Sequence, residues 1–500
     1  MLTNKKAKYE VETTKKYHNF QGTKGIRDWI LGMKDPVLVY GDPDVDGMIA
    51  MLLVVKYLVK YGKKYAWFVN TNREHGWTLD YERVRGKDII AVDFIITRQQ
   101  INNLVDLGCN ILSMDHHENE EDLISVQRNG KKGVVVNNQY LDEESDGRYL
   151  SGAGVVFEAL CGEDPSFDTL ENRALVGITL LSDVRDIENP IARGYLKDLY
   201  THKYKGYIRY LIDNTIGEKD YTFGVPRMDR NYVDYKFSPA INSCLRFNRE
   251  EDVARFFLGS GFLNLEYHKM QKELVAQIQD NVRIVDYSKL RVCYFKEEMV
   301  DPVYWDVLSS FVGLDASKNL DGKRSVICYM IAYTDTGKSY VKRASFRGNI
   351  NGLDYRRSLL NIINGVGHGS AFGIKELYPS KELFLKVNKI CTEVEVDSNH
   401  VTNITEVLNL SFFAMRKGYE YGEYNMYCLT QHRKYIRYVG KNIERHRSGA
   451  NYIEYSVDGL PVMCFDISLN FENGLILPIN ERGNLALYLE SGVEDISRYE

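Results

Sequence analysis

Between residues 36 and 190, short apolar runs alternate with stretches of helical periodicity. Val37–Tyr40, Ala66–Val69, Ile89–Val92, Asn110–Met114 and Val134–Val136 are the apolar runs. A strongly apolar helical stretch follows the first, over Asp46–Tyr61. Runs this continuous, separated by helices, predict a parallel α/β sheet covered on both faces. Ligands of such sheets bind beyond the carboxyl ends of the strands. Asp42, Asp44, Asp46, Asp93 and Asp115 fall just past those ends.

The texture changes further along. A mostly polar helical pattern over 250–283 predicts a long connecting helix. Residues 284–390 return to mixed α and β patterns, with a strand at Ser325–Met330 and a glycine-rich stretch at Asn364–Gly373. After 391, polar and apolar residues alternate at Tyr452–Val457, Val462–Phe465 and Leu475–Leu477, with turn signals between. That predicts a small, mostly-β module of OB-like type. The expected organisation is an α/β domain with an N-terminal extension (1–249), the connecting helix (250–283), a mixed α/β domain (284–390) and the C-terminal module (391–500).

Composition narrows the function classes. The net charge of −5, from 64 basic and 69 acidic residues, excludes a uniformly basic nucleic-acid binder. A local basic stripe is still compatible with it. Arg416–Arg447 holds eight Lys/Arg against three Glu, interleaved with Tyr419, Tyr421, Tyr424, Tyr427, Tyr435 and Tyr438. Positive charge along a phosphate backbone, with aromatics to stack bases, is what sequence-independent single-strand binding needs. The N-terminus lacks the apolar region of a signal peptide. The longest apolar run, Met48–Val59, is broken by Lys56 and falls short of the ~20 residues of a membrane span. The eight cysteines form no CxxC pair, which points to a reducing cytoplasm and away from structural zinc.

The candidate chemistry is acidic. Asp42-Pro43-Asp44-Val45-Asp46-Gly47 joins a strand to a helix. Three carboxylates on one tight turn stay ionised together only beside a cation, and hard divalent ions take carboxylate oxygen. The calcium-loop pattern fails, because its twelfth-position acid is missing. Asp93 ends a buried strand, Asp115-His116-His117-Glu118 ends another, and Asp183 ends the helical run Ala174–Ser182. Converging at one sheet edge, these residues would make a site for two divalent ions, the arrangement that clamps both oxygens of an in-line displacement at phosphorus.

These motifs, in this order, resemble the DHH phosphoesterase superfamily, and within it the RecJ-like single-stranded-DNA-specific exonucleases. Asp115-His116-His117 is the name motif, and Asp42-x-Asp44-x-Asp46-Gly47, Asp93 and Asp183 match the others. Asn72-Arg73 with Gly76-Trp77, Ser151–Val155 and Pro239–Asn242 with Arg246 resemble further stretches of RecJ proteins. Gly365–Gly373, with Ser345-Phe346-Arg347 upstream, resembles the DHH-associated second domain. The tyrosine-rich composition is compatible with a phage-type version.

The resemblance implies a hydrolase, a metal-dependent exonuclease with 5′→3′ polarity. Metal-activated water would cleave phosphodiesters and release 5′-mononucleotides. Asp44, Asp46, Asp93, His116 and Asp183 would hold two divalent ions, Mn²⁺ ahead of Mg²⁺, with Asp93 bridging. Asp115 would orient its neighbours, and His117 would meet the scissile phosphate. Arg73, Arg246, Arg347, His368 and the backbone at Gly365, Gly367 and Gly369 would bind substrate. The partners implied are single-stranded DNA and a single-strand-binding protein or recombination helicase, in DNA repair and recombination. The alternatives are a phosphodiesterase for short oligoribonucleotides or cyclic dinucleotides, and a catalytically weakened nucleic-acid-binding homologue. One position departs from the family: its usual histidine, four residues before the middle carboxylate, is Tyr40 here. A phenol is a poor ligand for hard cations, so the departure implies one metal bound more weakly, recruited to Asp42 instead, or arriving only with substrate, or else reduced activity.

Overall fold

The computed structural model describes residues 17–397, except 71–79, 118–123, 184–188, 203–204, 216–227, 229–231, 280, 300–307, 309–323 and 349–353, and beyond them the strands between 402 and 489. The chain divides into two compact units, Met1–Lys269 and Met270–Glu500.

The first unit is built on a six-stranded sheet. Its strands are β1 (Val37–Gly41), β2 (Tyr65–Val69), β3 (Asp88–Val92), β4 (Asn110–Asp115), β5 (Ser125–Arg128) and β6 (Lys131–Asn137), in the order β2-β1-β3-β4-β6-β5. All neighbours are parallel except β5, which runs antiparallel to β6 at the edge. The five parallel strands are those the apolar runs predict. The sequence pattern misses β5, because Ser-Val-Gln-Arg is short and polar, as an edge strand can be. The chain leaves β1 toward β2 on one side and returns to β3 on the other. The crevice beyond the ends of β1 and β3 is therefore the place where such sheets bind ligands.

Helices α1 (Ile26–Gly32), α2 (Val45–Lys60), α3 (Arg98–Asp106), α4 (Gly152–Glu163) and α5 (Leu170–Ser182) belong to this unit. Helix α2 packs against β1, α4 and α5. It is buried almost all round, from Val45 to Leu58, as its near-uniform apolarity requires. Thr97 and Gln100 form a reciprocal capping box on α3. Ser151 caps α4 by accepting from the Gly154 amide at 3.2 Å.

The chain ahead of the sheet is pinned to the middle of α4. His18 Nδ1 lies 2.6 Å from Glu158 Oε2, and Nε2 lies 2.7 Å from Asp146 Oδ1. Carboxylates only accept, so both ring nitrogens donate and the ring is the cation. Burial by itself would lower the His18 pKa. The hydrogen bonds and charges of Glu158 and Asp146 outweigh it and hold the ring at about 9. Glu158 is buried and also accepts from Tyr195 Oη at 2.7 Å.

Helices α6 (Pro190–Thr201), α7 (Gly206–Asp213), α8 (Ser238–Arg246), α9 (Glu250–Phe257) and α10 (Glu266–Gln279) follow. The connector expected as one helix over 250–283 is thus two helices. Gly259 ends the first at φ 75°, a left-handed conformation that suits glycine, and Gly261 follows before α10 begins.

The second unit holds strands β7 (Arg283–Asp286), β8 (Leu290–Lys296), β9 (Ser325–Tyr333), β10 (Ser339–Arg347), β11 (Asn364–His368) and β12 (Ala371–Glu376), in the order β11-β12-β10-β9-β8-β7. Only β8 and β9 are parallel. Helices α11 (Tyr355–Leu359) and α12 (Lys381–Asp397) cover one face through Tyr355, Leu359, Phe384 and Val387. Val275 and Ile278 of α10 pack on the other face, against Cys293, Phe295 and Cys328. The expected mixed α/β domain is therefore present.

Beyond 397 the described residues are strands alone. They form one seven-stranded sheet of β13 (Thr402–Asn403), β14 (Ile436–Tyr438), β15 (Ile443–Ser448), β16 (Ile453–Val457), β17 (Leu460–Cys464), β18 (Gly474–Glu481) and β19 (Asn484–Leu489), in the order β13-β14-β18-β19-β17-β16-β15. The mostly-β expectation holds, with seven strands in place of an OB-fold's five. β16 and β17, an antiparallel pair, fall at the alternating segments Tyr452–Val457 and Val462–Phe465, and β18 covers Leu475–Leu477, whereas the pattern does not mark its antiparallel partner β19. Most of the basic, tyrosine-rich stretch 416–447 lies outside the described residues. Among the described residues no helix is long and apolar enough to cross a membrane.

The His18 pin predicts a pH-dependent stability. The raised pKa means its contribution is complete below about 6.5 and fades as pH rises through about 9. His18→Ala should destabilise the protein by about 3 kcal/mol at pH 6, because it leaves the buried Glu158 without its cationic partner. In urea melts at pH 6 and pH 9.5, that gap should shrink at the higher pH; a gap unchanged across the window would contradict the assignment.

Candidate metal centre

The turn from β1 to α2 is folded back on itself. The Gly47 amide donates to Asp44 Oδ1 at 2.8 Å, so Asp44 is the N-cap of α2. A Cβ at Gly47 would lie 2.5 Å from the carbonyl oxygen of Asp42 and 2.7 Å from its nitrogen. Only glycine lets the turn close this tightly, and closure gathers Asp42, Asp44 and Asp46 at one strand end. Asn70, following β2, supports the turn: its amide donates to the Gly41 carbonyl at 2.7 Å, and its Nδ2 to Asp42 Oδ1 at 3.4 Å.

Asp46 reaches the N-terminus of α4. Its two oxygens accept from the Gly152 amide at 2.6 Å and the Ala153 amide at 2.9 Å. These are the unsatisfied amides of a helix start, where the helix dipole also favours negative charge. Asp93 follows β3 with φ 64°, a left-handed conformation that aspartate tolerates better than most residues. Its amide donates to the Met114 carbonyl at 3.0 Å, which fixes that bend. A Cβ at Gly152 would sit 2.3 Å from Asp93 Oδ1. The small residues opening α4 therefore serve two carboxylates at once.

His116 and His117 leave β4 into the same space. His116 Nε2 lies 3.1 Å from Asp93 Oδ1 and 3.8 Å from Asp46 Oδ2, and Nδ1 lies 3.7 Å from Asp183 Oδ2. Asp115 pairs with His117, not His116: His117 Nδ1 is 2.8 Å from Asp115 Oδ1. Asn137 Nδ2 donates to the His117 carbonyl at 3.0 Å, and Gln139 Nε2 to the His116 carbonyl at 3.2 Å. Asp183 directly follows α5.

Three sets of donors, each within 4.8 Å, emerge: Asp42, Asp44 and Asp93; Asp46, His116 and Asp183; and Asp93, His116 and His117. All seven residues are buried except Asp44, which is half-buried. Burial, then the charges of Asp183 and Asp44, push the Asp46 carboxyl well above its ordinary range, against the pull of the Ala153 and Gly152 amides. Burial, then the charges of Asp46, Asp44, Asp42 and Asp115, push Asp93 up likewise. Among the described residues the buried Oδ1 of Asp93 accepts no well-aligned hydrogen bond, although His116 Nε2 lies 3.1 Å away. Carboxylates and imidazole around a buried, unsatisfied oxygen fit divalent cations.

Tyr40 packs into the apolar core. Its ring stacks on Phe68, with centroids 5.0 Å apart, inside the cluster that includes Leu38, Ile89 and Ala91. Arg83 lies over the Phe68 ring at 4.4 Å. Burial pushes the Tyr40 phenol's pKa up, so it is neutral.

The sequence-predicted substrate residues are less gathered. Arg73 lies outside the described residues. Arg246 ends α8. Arg347 ends β10, where burial lowers its pKa to about 10, and among the described residues no carboxylate pairs with it. Gly365, Gly367 and Gly369 sit in the β11–β12 hairpin, each under an internal constraint. A Cβ would lie 2.4 Å from the Phe372 ring at Gly365, 2.8 Å from the Ala371 oxygen at Gly367 and 2.9 Å from Asp354 at Gly369. Their glycine character is thus already required by the hairpin's packing. His368 is placed in β11 by its backbone, and its side chain is outside the described residues. The sequence reading missed the support given by Asn70, Asn137, Gln139 and the α4 amides. The Ser151-Gly152-Ala153-Gly154 signal was visible, but not its target.

Residues 36–180 match the model of the DHH family, N-terminal domain. The fold is similar to that of RecJ in complex with Mn²⁺ from Thermus thermophilus, at 17% identity over 97% of this chain and 73% of that one, with a TM-score of 0.60. The same comparison with RecJ in complex with Mg²⁺ from Thermus thermophilus gives 15% identity, 96% and 71% coverage and a TM-score of 0.54. No curated protein sequence matches the chain.

Gly152→Ala tests the packing argument. Helix propensity favours alanine, so the fold should survive while the added methyl displaces Asp93. Isothermal titration with Mn²⁺ should show affinity lowered about tenfold or more, with an unchanged circular dichroism spectrum. Wild-type Mn²⁺ affinity in this variant would refute the coupling.

Proposed function

We propose that this chain, whose residues 36–180 match the model of the DHH family, N-terminal domain, is a metal-dependent phosphoesterase that removes nucleotides from single-stranded DNA. The observation that carries the reading is the convergence of Asp42, Asp44, Asp46, Asp93, His116 and Asp183 at one sheet edge, with Asp93 in reach of both ends of the cluster. Divalent ions bound there supply Lewis acidity and an activated water.

The protein's own groups do the positioning. The α4 amides hold Asp46, and the left-handed bend holds Asp93. Asp115 fixes the His117 tautomer: with Nδ1–H donating to the carboxylate, Nε2 is left as the acceptor. His117 is then suited to contact the scissile phosphate and to pass a proton to or from a phosphate or leaving oxygen. In the second unit, Arg347 carries a desolvated positive charge with no carboxylate to neutralise it among the described residues, which favours an anion. Arg73, Arg246, His368 and the glycine hairpin are proposed to share in holding the strand. Release of 5′-mononucleotides in the 5′→3′ direction, and cooperation with a single-strand-binding protein or helicase, follow from the RecJ resemblance.

The test is a time course on single-stranded DNA labelled at the 5′ or the 3′ end, with Mn²⁺, Mg²⁺ or EDTA. The 5′ label should leave first, as mononucleotide, and only with metal. Asp93→Ala should abolish turnover, and Asp115→Asn should slow it about 100-fold or more. Substantial Mn²⁺-dependent activity in Asp93→Ala would remove Asp93 from the centre. Intact DNA beside cleaved short RNA or cyclic dinucleotides would overturn the substrate and keep the phosphoesterase.

A further inference from the structure

We infer that the edge of the first sheet where its strands begin, opposite the acidic centre, is a second anchoring surface for nucleic acid, whose lysines hold phosphates away from the end being cleaved. This rests on the nucleic-acid reading above and goes beyond it, because the surface takes no part in the reaction.

Parallel strands all begin at one edge of their sheet. Here a lysine stands at or just ahead of four of the five parallel strands: Lys34 before β1, Lys63 and Lys64 before β2, Lys87 before β3, and Lys131 and Lys132 opening β6. In the order β2-β1-β3-β4-β6 the row crosses four inter-strand steps, about 19 Å. Backbone contacts join it into one edge. The Val37 amide donates to the Lys64 carbonyl at 2.9 Å, the Lys34 amide to Asp88 Oδ2 at 2.7 Å, and the Lys132 amide to Asn110 Oδ1 at 3.0 Å.

The nearby acids are occupied. Asp88 is buried, accepts from Asn110 Nδ2 at 2.9 Å as well as from the Lys34 amide, and lies 3.5 Å from Lys131 Nζ. Asp35 pairs with Lys63 at 3.0 Å. Lys34, Lys64 and Lys87 are exposed, and among the described residues no carboxylate pairs with them. Lys132 lies over the half-buried Trp29 ring, 4.5 Å from its centroid. Six lysines thus face two aspartates along this edge, on a chain whose net charge is −5.

Charge complementarity selects the occupant. The centre is lined by carboxylates, so it repels a polyanion until cations bind. A long polyanionic substrate therefore needs positive charge elsewhere on the same domain. Lysine offers a point charge on a flexible stem, and a row of such charges fits a phosphate backbone whatever the base sequence. Strand β1 is five residues long, which sets the lysine edge about 17 Å from the acidic one. Only nucleic acid long enough to pass round the sheet touches both.

The experiment separates binding from turnover. Fluorescence anisotropy in EDTA follows a single-stranded oligonucleotide of about 30 nucleotides over a salt series. The variants are the triple Lys34→Gln, Lys64→Gln, Lys87→Gln and the triple with arginine at the same positions; the side chains are exposed, so both should fold. Each phosphate contact adds about 0.7 to the slope of log affinity against log salt. The glutamine triple should therefore lose about 2 from the slope and bind about tenfold more weakly or less at low salt, and the arginine triple should match the wild type. With Mn²⁺, the glutamine triple should raise KM for the long oligonucleotide without changing kcat, and should cleave one of about three nucleotides like the wild type. Wild-type slope and affinity in the glutamine triple overturn the inference and leave the nuclease reading standing. A polyglutamate peptide bound more tightly than DNA, and released by the same substitutions, overturns it in favour of an acidic protein partner. Binding that depends on these lysines in a protein that cleaves no nucleic acid overturns the nuclease reading and keeps the surface.

Discussion

The first unit is organised around a repulsion. Asp42, Asp46, Asp93 and Asp115 are buried within one sheet edge, and burial with mutual charge disfavours having them all ionised. Such a cluster persists only where the surrounding structure leaves the side chains nowhere else to go. Helix α4 supplies much of that constraint. Its first amides hold Asp46, and its Gly152 leaves just enough space for Asp93. The rest of the compensation must come from positive charge, which is the physical reason the site asks for cations.

Helix α4 also links the centre to the start of the described chain. Further along the same helix, Glu158 anchors His18 and Tyr195. One helix thus carries a buried charge pair in its middle and a carboxylate cradle at its N-terminus. Its position is fixed by packing against α2, the near-uniformly apolar helix that leaves the Asp42–Gly47 turn. The apolar core and the acidic site are in this way set by the same two helices.

The second unit shows how a motif can have two physical causes. The glycines of the β11–β12 hairpin match a family signature, yet each meets a neighbouring ring or backbone atom that excludes a Cβ. Packing accounts for the glycines before any ligand is invoked. Arg347, at the end of the adjacent β10, is different: its desolvated charge has no carboxylate partner among the described residues.

The sequence alone determined the parallel sheet and the residues at its edge, because continuous apolar strands and acidic strand ends are local patterns. It determined Gly47 and the acids around it for the same reason. It did not separate α9 from α10, since a break at Gly259 interrupts a helical pattern without erasing it, and it did not reveal β5, whose polar residues pair only because β6 lies beside them. Only the tertiary structure decided which residues meet. It paired Asp115 with His117, turned Tyr40 onto Phe68, brought Asp42 into a set with Asp44 and Asp93, and aimed the α4 amides at Asp46 from more than a hundred positions away. Those outcomes depend on the crossing of separate elements at one sheet edge, and no local pattern encodes that distance.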